Sequence, residues 1–479
     1  MATNRMRAQR IGRPPARRRP LELPGLAMWA AGIYYVLLLV DNVLIRTAEK
    51  LSGYLDEITV LFAAPFAAAA LFRMPHGLWP VPLCFGIYIA MGTISGLFSP
   101  IGGYPFATVT GLTIALDSKP IILALAFAYC LSQARDSDVM TPFLYALIGV
   151  ALVNLPFLLR DLALNSGINI YGEPMDRRAG MYRPQGLYHH ATASVDIHLM
   201  ATMAAAALWG IRKNAVWAGL TALLALLTML HIVAKEIVAV VLVLGIAVMA
   251  MRFRSKDTQF LIRAAAVTLG LLLAVPFADL ALPVIQGQVT DYVQDGESAV
   301  RTLMYLISFD LAVDNFPLGA GIGTFGSLAS FTTFFSPIYD QTGLSLIYGA
   351  SRLHPYYLQD VFWPKVLGES GWIGLAAYLG LLLYLAVRVT RAALKFPAVE
   401  NLFASFVLVT ALVKTIAAPT LTSDLYVPLI GLAVAIAACY PRGFAQAAAD
   451  RQARAARQTT QRHRPALRGR PGTIGPRGW

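Results

Sequence analysis

Charge is scarce in this chain. Only 14% of its 479 residues are Asp, Glu, Lys or Arg, against roughly a quarter in soluble domains, so an ordinary soluble fold is excluded. Cysteine is scarcer still: Cys84, Cys130 and Cys439 all lie in apolar runs. Neither a disulfide framework nor a thiolate metal site is therefore expected. Lysine is missing from two long segments, about 161–190 and about 282–361. Acids are missing from residues 1–20, which hold seven arginines, and almost missing from 442–479, where nine arginines accompany Asp450. The formal net charge of +13 thus resolves into +15 on the tails and −2 on everything between. That distribution excludes a nucleic-acid-binding body. Arginine-rich tails (residues 1–24 and 442–479) instead suit cytoplasmic termini drawn to anionic membrane lipids, and the second is expected to be disordered.

Apolar residues dominate what remains, at 57% with mean hydropathy +0.60. Their runs predict membrane helices at about 25–46, 57–72, 78–98, 113–133, 141–160, 191–211, 215–232, 235–252, 260–281, 362–388, 400–418 and 424–441. The first run continues past Val40, too long for a cleavable signal peptide, and reads as a signal anchor. With both tails inside, the short loops bearing Arg73, Arg135, Arg212, Lys213, Arg252, Arg254, Lys256, Arg388, Arg391 and Lys395 fall on the cytoplasmic side, as positive-inside topology requires. The segments 161–190 and 282–361 then fall outside, and 99–118 is a candidate re-entrant loop. The expected fold is an all-α polytopic membrane protein with about 12 transmembrane helices. One integral domain spans 25–441, with a large, partly helical external loop before the tenth span.

Three constellations carry chemistry. In Arg183–Ser194, RPQGLYHHATAS, Pro184 and Gly186 make a turn that sets Arg183 at the membrane surface beside His189 and His190, facing a helix start. A guanidinium fork near a helix N-terminus suits phosphate oxygens; the alternative is an arginine snorkelling to headgroups beside two solvated histidines. In Glu297–Phe325, a helix bearing Arg301 precedes NFPLGAGIGTF, whose glycines suit close backbone approach or a nest for an anion. The acids Asp291, Asp295 and Glu297 read as a solvated loop rather than a metal site. In His354–Leu375, HPYYLQDVFWPKVLGESGWIGL, His354, Asp360, Lys365 and Glu369 gather at one membrane boundary, where charge is costly. Lys365 and Glu369 stand four apart on one helical face and are expected to pair, which leaves Asp360 and His354 as candidate general bases. Lys235–Glu236 opens another helix at the same side, and Asp41 and Asp196 are read as helix-packing hydrogen bonders.

The order RPxG turn, charged helix start, loop arginine, NFPLGAGIGTF and LGESGWIGL resembles the O-antigen ligase and Wzy-type polysaccharide polymerase superfamily over about 180–385. The resemblance implies pyrophosphate binding by Arg183, Arg301 and Lys235, with His189, His190, Glu369, Gly371 and Gly374 in support. The family's His-Asn, nine residues before the glutamate of ExGxxG, falls on Asp360-Val361. Asp360 or the displaced His354 is then the expected base, and the substitution favours a polymerase. The implied activity is metal-independent, cofactor-free and inverting: transfer of undecaprenyl-pyrophosphate-linked glycan to a sugar hydroxyl, facing the periplasm of a bacterial inner membrane. A chain-length regulator is an expected partner. The alternatives are an O-antigen ligase acting on lipid A–core, a polysaccharide transporter or flippase, and a mannosyltransferase using Asp56-Glu57.

Overall fold

The computed structural model describes residues 55–72, 77–99, 101, 103–133, 140–178, 181–231, 233–252 and 296–439, together with Gly32. The tails, the expected helices at 25–46 and 260–281, and Asp41, Asp291 and Asp295 lie outside the described residues. Within them the protein is helical: α1 (Leu55–Phe72), α2 (Pro80–Leu97), α3 (Phe106–Gln133), α4 (Met140–Leu164), α5 (Ala191–Arg212), α6 (Ala215–Met229), α7 (Ala234–Arg252), α8 (Gly296–Asp314), short α9 (Ala329–Thr332) and α10 (Pro337–Gln341), α11 (Phe362–Lys395), α12 (Val399–Lys414) and α13 (Val427–Cys439). A two-residue ladder, β1 (Arg177–Arg178) with β2 (Met181–Tyr182), is antiparallel.

Among the described residues, five helices, α2, α3, α4, α5 and α11, are long and apolar enough to cross a membrane. The chain is a helical membrane protein. Large apolar side chains such as Phe62, Phe72, Val153 and Val216 stand on outward faces, where lipid replaces a protein neighbour. Inside, α5 is buried on all sides and rich in alanine (ATMAAAALW). Small residues let α4, α6, α7 and α12 close around it.

Helix ends follow local chemistry. Pro80 sits in the first turn of α2, where its missing N–H costs nothing. The Asn214 side chain caps α6 by accepting from Trp217 N at 3.0 Å. Three helices run four or more residues beyond expectation, and α12 stops four short, at Lys414. Helix α3 begins at Phe106, so 106–118 are the first turns of a continuous helix: polar Thr108 and Thr110 hid helical residues from a hydropathy reading. Helix α4 runs on to Leu164 because Asn154 and Asp161 are turned inward (0% and 4% exposed). Helix α11 continues to Lys395, its last turns carrying arginines on a helical backbone.

Successive helices alternate direction. The ends of α2, α4, α6 and α12, and the starts of α3, α5, α7, α11 and α13, therefore meet at one end of the bundle, covered by 165–190 and 296–361. This is called the cap end. Arg212, Lys213, Arg388 and Lys395 belong to the opposite end.

Candidate functional site

The glycine run suits either close backbone approach or an anion nest, and the structure fills it from within. Gly319 N donates to Ser95 Oγ (3.1 Å), Ala320 N and Gly321 N to the carbonyls of Gly368 and Glu369 (2.7 and 3.2 Å), and Ile322 N to Gly92 O (2.9 Å). Phe325 N donates to the Glu369 carboxylate at 3.2 Å, and Gly323 N and the Ser327 hydroxyl face it. The group that fills this nest is the buried Glu369 side chain. Gly371 adopts φ +66 and interrupts α11, and a side chain there would strike the Leu318 carbonyl. Gly374 lies against Ser370 and Tyr88 of α2. The LGESGWIGL and NFPLGAGIGTF strings thus lock to each other. Their glycines are demanded by close backbone approach, not by a ligand, and the expected Lys365–Glu369 pair does not form.

Lys365 instead crosses to α3. Its Nζ lies 2.5 Å from Asp117 Oδ1, both groups buried, while Tyr88 OH donates to Asp117 Oδ2 at 2.7 Å. One turn away, Lys119 pairs with Glu57 of α1 at 2.8 Å. Pro120 cannot donate to the Leu116 carbonyl, which loosens α3 at this level. Around these residues opens a cavity of about 210 Å³, lined further by Ser327, Gln359, Val361, Phe362, Thr422 and Asp424.

Beside the cavity, Arg301 of α8 donates to Asp360 at 2.8 Å, with side chains 14% and 25% exposed. Lys235 lies within electrostatic range of Arg301, Lys414, Glu236 and Asp196, and its Nζ donates to Ala417 O at 3.2 Å. The 415–417 turn also accepts from Tyr305 OH (2.8 Å) and Trp363 Nε1 (3.1 Å). Loop helix α8 and helices α7, α11 and α12 are thereby tied at one point. Behind them Lys414 bridges Asp196 of α5 and Glu236 of α7 (2.6 Å), with Tyr426 OH at 3.1 Å. Asp196 thus hydrogen-bonds between packed helices, as expected, and does so within an ion cluster.

Arg183 is displaced from its expected place. It is buried, 5% exposed, with Nη1 3.5 Å from Asp176 and Nε directed at the His231 carbonyl (3.4 Å). The RPQG turn around it is clamped by α4: Asp161 accepts from Gln185 N and Gly186 N (3.1 and 2.8 Å), and Asn154 accepts from Leu187 N (2.7 Å). Gly186, at φ +63, leaves room for Asn154. A buried guanidinium needs these partners, so the turn draws it inward from the surface. His189 stacks on Tyr171 and pairs with Glu173 at 3.0 Å, while exposed His190 precedes α5 without capping it. His354 lies between Tyr348 and Tyr356, with Nδ1 3.2 Å from the Tyr356 hydroxyl; it is not brought to Asp360.

Of the expected site residues, Arg301 pairs with Asp360 and lies within electrostatic range of Lys235, while Arg183, His189 and His354 meet other partners. Asp117, Lys119, Asp424 and Lys414 were not anticipated. Their signal was present, since DSK at 117–119 and Lys414 are charges inside apolar runs. Nothing in the sequence marked Tyr426 or paired these residues with one another. No protein-family model matches the chain, and no curated protein matches it.

Proposed function

We propose that the protein is a membrane glycosyltransferase of the polysaccharide polymerase type, moving glycan from a polyprenyl pyrophosphate to a sugar hydroxyl. In this reading about twelve spans lie in a bacterial inner membrane, both termini are cytoplasmic and the cap end faces the periplasm. The observation that carries it is the partly exposed Arg301–Asp360 pair with Lys235 in its field. A cation for a leaving phosphate and a carboxylate for a hydroxyl proton stand one hydrogen bond apart.

At rest the pair neutralises itself. Pyrophosphate oxygens compete for the guanidinium fork, and that exchange releases Asp360 to accept the proton of the acceptor hydroxyl. The acceptor oxygen bonds to the anomeric carbon as the bond to the pyrophosphate oxygen breaks, with inversion. Arg301 and Lys235 hold the charge left on the pyrophosphate. Arg183 braces the loop above Lys235 rather than touching phosphate. An O-antigen ligase would share every step and differ in acceptor. A transporter, whose charges belong near the bilayer midplane, is the second reading. Lys414 ends α12, Glu236 is third in α7 and Asp196 sixth in α5, within about two turns of the cap end, whereas Asp117, paired with Lys365, and Lys119 lie midway along α3.

In the parent organism lacking its own copy, Arg301→Ala and Asp360→Asn should each cut polymer by about 10²–10³, with lipid-linked repeat units accumulating and protein levels unchanged. His354→Ala should leave polymer near normal. Normal polymer from both pair variants overturns the reading. Asp340→Cys, exposed in the cap, should react with an impermeant thiol reagent on intact cells; reaction only after lysis inverts the topology.

A further inference from the structure

The cavity between α1, α3, α11 and the 419–424 loop has a chemistry of its own. Asp117 and Lys365 form its buried floor, while Glu57, Gln359 and Asp424 stand exposed around its mouth. Its volume of about 210 Å³ lies below the roughly 300–1,000 Å³ of pockets that take drug-sized ligands and suits a single sugar ring. Three carboxylates, Glu57, Asp117 and Asp424, outnumber two ammonium groups, Lys119 and Lys365, and both lysines are already paired with carboxylates. A further anion entering here would meet surplus negative charge and lose its hydration. Hydroxyls are different: they donate to carboxylates and accept from ammonium and amide groups without burying charge. Phe362 supplies an apolar wall. Gln359 and Val361 line the cavity and flank Asp360 in the chain, whose own side chain pairs with Arg301.

We infer that this cavity binds an uncharged, hydroxyl-rich sugar ring, the acceptor end of the glycan, and discriminates against rings carrying carboxylate or phosphate. The word acceptor rests on the glycosyltransferase reading; the choice of a neutral ring does not.

The test is saturation-transfer NMR on the full chain in lipid nanodiscs, with methyl glucoside and methyl glucuronide as probes. These share a ring and differ in one carboxylate. The glucoside should bind about tenfold more tightly than the glucuronide, the scale of one charged contact. Asp424→Lys, an exposed position, should bring the glucuronide to parity. Thr422→Trp should abolish both signals while undecaprenyl pyrophosphate binding, measured on the same discs, persists. Equal or tighter glucuronide binding by the wild type, no signal from either sugar, or an unchanged preference in Asp424→Lys each overturns the inference. Binding alone is read, so absence of glycosyl transfer, which would sink the function proposed above, leaves these outcomes decisive.

Discussion

Two ion clusters share the cap end and differ in one respect, access to water. Lys414, Asp196 and Glu236 are 2%, 7% and 0% exposed, whereas Arg301 and Asp360 keep 14% and 25%. The buried cluster ties α5, α7 and α12 with one ammonium held by two carboxylates and a phenol. Its partners cannot leave without stranding charge, and among the described residues the cavity opens onto the buried Asp117–Lys365 pair and not onto this cluster, so its expected role is architecture. The Arg301–Asp360 pair joins a loop helix to the start of α11, and either partner can exchange the other for a ligand. Residue types are nearly the same in both; exposure separates structure from chemistry.

The sharpest way to break this contrast is to remove the shared cation. Lys414→Met leaves two buried carboxylates unpaired and should destabilise the fold by about 3–5 kcal/mol, read as loss of the monodisperse detergent-extracted protein. Adding Asp196→Asn and Glu236→Gln should recover much of that loss. If Lys414→Met alone is well folded, the buried cluster is not structural and the division between the clusters fails.

Next in size is Gly371→Ala. A methyl group at φ +66, facing the Leu318 carbonyl, should cost about 1–3 kcal/mol by separating α11 from the glycine loop. Polymer should fall only as far as protein level falls. A loss of polymer at normal protein level would move this lock into the chemistry.

Arg183→Lys sharpens the comparison further. If Arg183 braces the 165–190 loop, lysine keeps charge but loses the fork that reaches Asp176 and the His231 carbonyl. Thermal stability should then drop modestly, with undecaprenyl pyrophosphate binding unchanged. Weakened binding as severe as in Arg301→Ala would return Arg183 to the phosphate site.

The smallest effect belongs to the exposed pair Arg352–Asp340 at 3.1 Å. Hydrogen bonds from the Ser345 hydroxyl and from Arg352 hold the Asp340 carboxyl below its ordinary range. A carboxyl with a lowered folded-state pKa adds stability above its unfolded value and loses it as pH falls through the folded value. Acid should therefore remove this contribution and Arg352→Ala should reduce it to the part held by Ser345, with both effects at the edge of detection and the Arg352 part screened by salt.

Much of the helix pattern was legible because it depends on local runs of apolar side chains. The 191–211, 215–232 and 235–252 expectations lie within three residues of α5, α6 and α7. Two errors fell where polar residues sit inside helices, as at Thr108 and Thr110 of α3 and Asp161 of α4, since hydropathy counts a buried, hydrogen-bonded polar residue as exposed. At the candidate site, the sequence singled out Arg301, Asp360 and Lys235 as candidates, from helix starts, a loop edge and the family resemblance. It could not pair Lys365 with Asp117, 248 positions away, nor see Glu369 turn from its helical neighbour to the backbone of the glycine loop.

Composition and periodicity alone determined a helical membrane protein, because burying apolar surface and satisfying backbone hydrogen bonds in lipid leave few other solutions. Which charges neutralise one another, which glycines serve packing and which pair remains open to a ligand were decided only by the tertiary structure. Those outcomes depend on distances across helices that are remote in the chain, and electrostatic energy in a low-dielectric interior changes steeply over a few ångströms.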